Sequence, residues 1–227
     1  NENGGPFKGM DRFKARKAVL DALKDKDLIA KIEDHQHAVG HCYRCHTVVE
    51  PYLSKQWFVK MKPLAEPALK AFHDGRVQFY PERWNKVYIN WMEGIRDWCI
   101  SRQIWWGHRV PVWYDDQGNH FVARDEIEAK AQAKAKHGKD VSLKQDEDVL
   151  DTWFSSWLWP FATLGWPKEN KDLKYFYPGD SLFTASEIIF FWVARMIMAG
   201  LEFKGAVPFK DVYIHGTVRD SQGRKMS

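Results

Sequence analysis

Apolar positions along the chain alternate between helical and strand-like periods. In residues 11–28, Phe13, Leu20, Leu23 and several alanines recur at helical spacing among lysines and aspartates, predicting an amphipathic helix with Asp11 as N-cap. A His-rich loop follows, then Gly40-His41-Cys42-Tyr43-Arg44-Cys45-His46, with Val48-Val49 as a short strand. Residues 63–72 read as a helix stopped at Gly75, and Val77-Gln78-Phe79-Tyr80 as a strand closed by Pro81. From 84 to 98, Trp84, Tyr88, Trp91, Ile95 and Trp98 share one stripe, which predicts a core-facing helix.

The character changes near Ser101. Residues 104–114 read as a strand entering a sheet, with a turn at Asp116-Gln117-Gly118-Asn119. Residues 125–137 form an Ala/Lys/Glu pattern with acids first, lysines last and Gly138 beyond, which suits the helix dipole and a glycine cap. With only Ile127 to bury, this helix is expected in a solvated surface insert over about 115–145. The aromatic-rich stretch 148–161 reads as irregular and covering another surface. Ser181-Leu182-Phe183 and Val212-Tyr213-Ile214 read as strands separated by a helix from Glu187 to about Ala199. That order predicts a right-handed parallel crossover, hence an α/β fold.

Composition narrows the class. With 44% hydrophobic and 28% charged residues, the 227-residue chain has a globular composition, enough for one large domain or two small ones. Twelve tryptophans make aromatic packing a main determinant of its architecture. A net charge of +4 suits a polyanion such as RNA without demanding one. Three cysteines, an odd number, argue for a reducing compartment, here the cytoplasm. The apolar run 188–198 is interrupted by Arg195 and falls short of the ~20 residues of a membrane span. Lacking an initial Met and any targeting signal, the chain reads as an excised piece of a longer one.

Five groups of residues are candidates for chemistry. Thr184 and Glu187 have capping-box spacing at the start of a helix that would point its positive pole beyond a strand end. Ile188 and Trp192 share a face of that helix, as core or as a pocket wall. Asp146, Glu147, Asp148 and Asp151 suit either a metal or a solvated turn. Cys42 and Cys45 have zinc-knuckle spacing but supply half of a four-ligand site. His41 and His46 would complete it only with strain, and Cys99 is expected as an inert thiol in a tryptophan-rich helix. Finally, Arg219, Gly223, Arg224 and Lys225 follow a strand end, where they could meet an anion.

These pieces resemble one family. Lys225-Met226-Ser227 is similar to the first three residues of the Lys-Met-Ser-Lys-Ser loop of class I aminoacyl-tRNA synthetases. Residues 96–103 with Trp106-Gly107 resemble the segment by which branched-chain members return from an inserted domain to the catalytic sheet. Asp151-Thr152-Trp153-Phe154-Ser155-Ser156, Leu158-Trp159-Pro160-Phe161 and residues 188–195 are similar to the valyl branch in particular. The resemblance implies the second half of a Rossmann-like catalytic domain over 101–227. Residues 1–32 would be the tail of the inserted editing domain, and 33–100 a connective region with half a zinc knuckle.

It further implies ATP-dependent activation of valine and transfer to tRNA(Val), with Mg2+ accompanying ATP and a structural Zn2+ possible in a longer protein. Lys225, Met226 and Ser227 would meet the pyrophosphate, His215 and Gly216 the adenosine, and Glu187 the ribose, with Lys225 and His215 as catalytic groups. Trp153, Ile188 and Trp192 would line the valine pocket. Such a pocket cannot strongly reject threonine, a limit already known for valyl synthetases, so the resemblance implies an editing pocket upstream of Asn1. The chain departs from the family where Ala185-Ser186-Glu187 replaces Gly-x-Asp, and where Asp115-Asp116-Gln117-Gly118 replaces a second zinc knuckle. The His-Ile-Gly-His motif and the second loop lysine are absent from the sequence, so this piece alone is not expected to form the adenylate. Alternatives are an isoleucyl-type enzyme, or a non-catalytic tRNA-binding or zinc-knuckle module.

Overall fold

The computed structural model describes residues 3–42, 45–50 and 53–226. Tyr43 and Arg44, between the paired cysteines, and Ser227, assigned to the phosphate loop, lie outside the described residues. The chain forms two compact units, Asn1–Ser54 and Lys55–Ser227.

In the first unit, α1 (Arg12–Lys24) begins at Asp11, whose carboxylate accepts hydrogen bonds from the amides of Phe13 (3.1 Å) and Lys14 (3.2 Å). This satisfies two of the amides that a helix start leaves unpaired. The amphipathic pattern is present, yet none of its residues is buried, and Phe13 and Leu20 stay exposed. Arg12 donates to the Val48 carbonyl at 2.7 Å and Arg16 pairs with Glu50. Val48 forms a single bridge to His41, where the sequence pattern predicted a strand.

The second unit opens with β1 (Phe58–Val59), α2 (Lys62–His73), β2 (Gln78–Tyr80) and α3 (Arg83–Glu93). Gly75, at φ +73°, turns the chain out of α2 in a conformation that side chains with a Cβ rarely adopt. The predicted helix over 84–98 is shorter than its stripe. Gly94 caps it, and Trp98 belongs to β3 (Trp98–Cys99), paired antiparallel with β1. Glycine's low helix propensity ends the element one turn early, so Cys99 lies in a strand and not in a tryptophan-rich helix.

Next come β4 (Ser101–Arg102), β5 (Val112–Tyr114), β6 (His120–Val122), α4 (Glu126–His137), β7 (Lys144–Gln145) and β8 (Val149–Leu150). The strand expected over 104–114 shrinks to β5, because Ile104, Trp105 and Trp106 lie in an exposed connection. Strands β6, β5 and β7 form a small antiparallel sheet under α4. Ile127 was expected to be the buried residue of α4. It is 81% exposed, while Ala129 and Ala133 are fully buried against Trp113 and Phe121. Two small residues four apart let the helix approach the sheet closely, which the larger side chain would prevent. The insert thus has a core of its own.

Residues 148–161 are more regular than predicted, holding α5 (Thr152–Ser156) and α6 (Trp159–Ala162) after β8. Then follow α7 (Lys171–Phe176), β9 (Ser181–Ala185), α8 (Ala194–Lys204) and β10 (Asp211–His215). The sheet order is β2-β10-β9, all parallel, which agrees with the α/β crossover expected. Phe79, Val212 and Ile214 belong to the main core with α8, whose residues 194–200 are all buried. Alanines 65, 68 and 71 let α2 lie close to α8. Burying each large apolar side chain here contributes about 1.5–3 kcal/mol. Elsewhere on the sheet Tyr80, Tyr213 and Phe183 stack with centroids 4.9 and 4.8 Å apart.

Candidate active site

The site gathers at the carboxyl ends of β9 and β10, where Ala185 is paired with His215. Thr184 is still inside β9, opposite Ile214 and buried, so it cannot cap the following helix. The capping box expected with Glu187 is therefore absent. Chain direction changes through a 3-10 turn, Ser186–Ile188, with no side-chain cap. Released from capping, Glu187 accepts a hydrogen bond from Lys225 Nζ at 2.7 Å and another from Thr217 Oγ1 at 3.1 Å. The Lys225 bond holds its carboxyl below the usual glutamate range, against a smaller opposing effect of desolvation.

The segment carrying Lys225 is folded on itself. Asp220 Oδ1 accepts from the amides of Gln222 (2.9 Å) and Arg224 (2.8 Å), and its Oδ2 from Arg224 Nε at 2.7 Å. The Met226 amide donates to the Val218 carbonyl at 3.0 Å, and Arg219 and Lys225 are bridged. This is a small hairpin with Gly223 at φ +76° in its turn. His215 is exposed, with Nδ1 2.8 Å from the Gly216 carbonyl. A Cβ on Gly216 would enter open space.

The other candidate residues lie on facing elements. After the 3-10 turn, Ile189–Val193 is π-helical, a widening that often marks a functional segment. It packs against α5. Trp153 of α5 stacks on Phe191, centroids 5.7 Å apart, and Trp192 Nε1 donates to the Ser156 carbonyl at 3.0 Å. Ile188 is half-buried at the junction of the two helical types.

Of the two roles expected for the acids between 146 and 151, the turn is present at 146–148, where the Asp148 amide donates to Asp146 Oδ1 at 2.9 Å and the exposed Glu147 pairs with Lys144. Asp146 accepts from Tyr114 Oη (2.9 Å) and Trp57 Nε1 (3.2 Å), and Asp148 from Gln103 (2.9 Å). Asp151 is buried, accepting from Trp98 Nε1 at 3.1 Å, from the Trp153 amide at 3.0 Å and from Arg102. Nearby, the buried Arg195 guanidinium lies 3.5 Å from the Trp98 ring centroid. Burial pulls its pKa down to about 10, with Asp151 opposing the shift.

Among the described residues, no group of three or more His, Cys, Asp and Glu side chains could hold a metal. Cys42 is half-buried and Cys45 exposed, its Sγ 3.3 Å from Thr47 Oγ1. Two thiols do not complete a zinc site. Thr217 and Asp220 were missed in the sequence reading. Asp220 had a signal, an Asp three residues before Gly in a turn, whereas the Thr217 contact depends on a neighbour 30 residues away.

The model of the class I tRNA synthetases (I, L, M and V) matches residues 13–227. The chain belongs to this family. It is 59% identical, over its whole length, to the valine–tRNA ligase of Thermotoga maritima, and 60% identical over 97% of its length to that of Fusobacterium nucleatum. It spans about a quarter of the length of these relatives, 26% and 25%. Among solved structures, methionyl-tRNA synthetase of Mycobacterium tuberculosis with methionyl-adenylate matches 83% of this chain and 31% of its own, at a TM-score of 0.56 and 19% identity. The same enzyme's apo form matches at 0.53 and 18% over 79% of this chain and 30% of its own. These two likenesses concern the fold. No helix of the described residues is long and apolar enough to cross a membrane.

Proposed function

We propose that the protein containing this chain is a cytoplasmic valine–tRNA ligase. It would activate valine with ATP, releasing pyrophosphate, and pass the valyl group to the 3′ end of tRNA(Val). The observation that carries this reading is the 59% identity to a valine–tRNA ligase across the whole chain. The position of Lys225 beside the end of β9, against Glu187, supports it.

In this reading the valine carboxylate attacks the α-phosphate, and the protein contributes mainly position and charge stabilisation. Lys225 leaves Glu187 for the departing pyrophosphate, with Met226 and Ser227 as further contacts of the phosphates. His215 and Gly216 stand beside the adenosine. Glu187, freed of Lys225, becomes available to the ribose hydroxyls. Trp153, Ile188 and Trp192 form a slot for an isopropyl group, which the longer isoleucine would overpack. Mg2+ would accompany the ATP phosphates. Cys42 and Cys45 would be two of four zinc ligands, the others coming from outside this chain, which metal analysis of the full-length protein tests.

The functional test is pyrophosphate exchange into ATP by the full-length enzyme, with valine, isoleucine and threonine side by side. Exchange driven mainly by valine is expected. A preference for isoleucine would move the assignment to the isoleucyl branch, and no amino-acid-dependent exchange would favour a non-catalytic tRNA-binding module. The isolated chain is expected to be inactive.

A further inference from the structure

We infer that Asp151 is a positioning residue for the amino-acid pocket, fixing where Trp153 stands; this rests on the valine-activating reading above. A five-residue helix such as α5 has too few internal hydrogen bonds to hold its own orientation. Its two ends are tied instead. Asp151 caps the amino end at the Trp153 amide, and Trp192 Nε1 binds the Ser156 carbonyl at the other.

From Asp151 the contacts close into a circuit. The Trp98 indole donates its N–H to Asp151, while its ring lies under the Arg195 guanidinium at 3.5 Å. Arg195 is also 5.8 Å from the Phe191 ring, and Phe191 stacks on Trp153, which returns to Asp151. Asp151 is only 6% exposed and Arg195 8%, and the Nε and Nη1 groups of Arg195 have no hydrogen-bond partner among the described residues. Asp151 thus supplies the negative charge facing Arg102 and Arg195. Buried ionic clusters are poor sources of stability compared with apolar packing. What this one specifies is geometry: β3, β4 and α5 meet at one carboxylate, and the π-helical segment reaches it through the stacked rings of Phe191 and Trp153, which stand at the wall of the proposed pocket.

The test uses the full-length enzyme and the variants Asp151→Asn and Arg102→Gln. Asparagine keeps an oxygen for the Trp153 amide and removes the charge. The expected result for Asp151→Asn is a valine KM raised about tenfold or more, with the ATP KM within about twofold, and weaker discrimination against isoleucine. Arg102→Gln, at a partly exposed partner, should shift valine KM about threefold in the same direction. Equal changes for both substrates, or a lowered melting temperature with valine KM unchanged, would overturn the inference. Should Asp151→Asn fail to fold, an unchanged valine KM in Arg102→Gln overturns it alone. If the unmodified enzyme does not activate valine, the functional reading fails and this inference with it. If it does, an unselective variant sinks only the role given to Asp151.

Discussion

Lys225 Nζ lies 2.7 Å from Glu187 Oε2, joining the hairpin after β10 to the turn after β9 across 38 residues of sequence. The pair is partly exposed, with side-chain exposures of 52% and 34%, so salt screens it and water competes for it. Its weight is conformational: it selects a docked position for residues 218–226.

Loosening that dock should be measurable. Glu187→Gln is expected to speed trypsin cleavage after Arg219, Arg224 and Lys225 by roughly threefold to tenfold, since cleavage follows local opening. The folded Glu187 carboxyl titrates below its unfolded value, so its contribution to docking is complete at neutral pH. It is lost only as the pH falls through that lowered value. Protection of the hairpin amides against hydrogen exchange should therefore fall in acid, and in Glu187→Gln the fall should be smaller, only the part due to Asp220 remaining.

Trp192 separates the pocket reading from simple packing. In the full-length enzyme Trp192→Ala should weaken valine activation more than ATP binding, because the indole faces the amino acid in the proposed site. Equal loss of both would leave Trp192 as core.

Gly200 is a packing constraint in α8. A Cβ there would come within 2.7 Å of Tyr177 Oη, 2.8 Å of the Ala206 carbonyl and 2.9 Å of Pro208 Cδ. Gly200→Ala gains helix propensity, yet the clash should dominate and destabilise the fold by about 1–3 kcal/mol in urea unfolding.

The insert offers a paired comparison. Ile127→Ala, at an exposed position, should change stability by no more than about 0.5 kcal/mol. Ala133→Leu forces a large side chain into a site with no free surface and should cost about 1–3 kcal/mol. The opposite ranking would show that α4 docks on a different face.

Much of this was legible in the residue pattern because the signals were local. Asp11 caps a helix, and Gly75 and Gly138 end helices with positive φ, as their neighbours in sequence suggested. The strand, helix, strand order of the last third likewise follows from short apolar runs about a long one. Failures came where a local rule met a tertiary competitor. Thr184 and Glu187 have capping-box spacing, but parallel pairing with β10 extends β9 through Thr184 and leaves Glu187 to Lys225. The stripe from Trp84 to Trp98 has helical period, but Gly94 and the pairing of β3 with β1 take Trp98 into a strand.

By itself, the sequence determined most of the helices, the parallel crossover and the family, because propensity, capping and periodicity act over a few residues and motif identity needs no geometry. Tertiary structure alone decided which carboxylate meets Lys225, that Asp151 is buried against Trp98 and Arg102, and that alanines rather than Ile127 bury α4. Those outcomes depend on distances between residues far apart in sequence, and such distances exist only once the sheet has set the register.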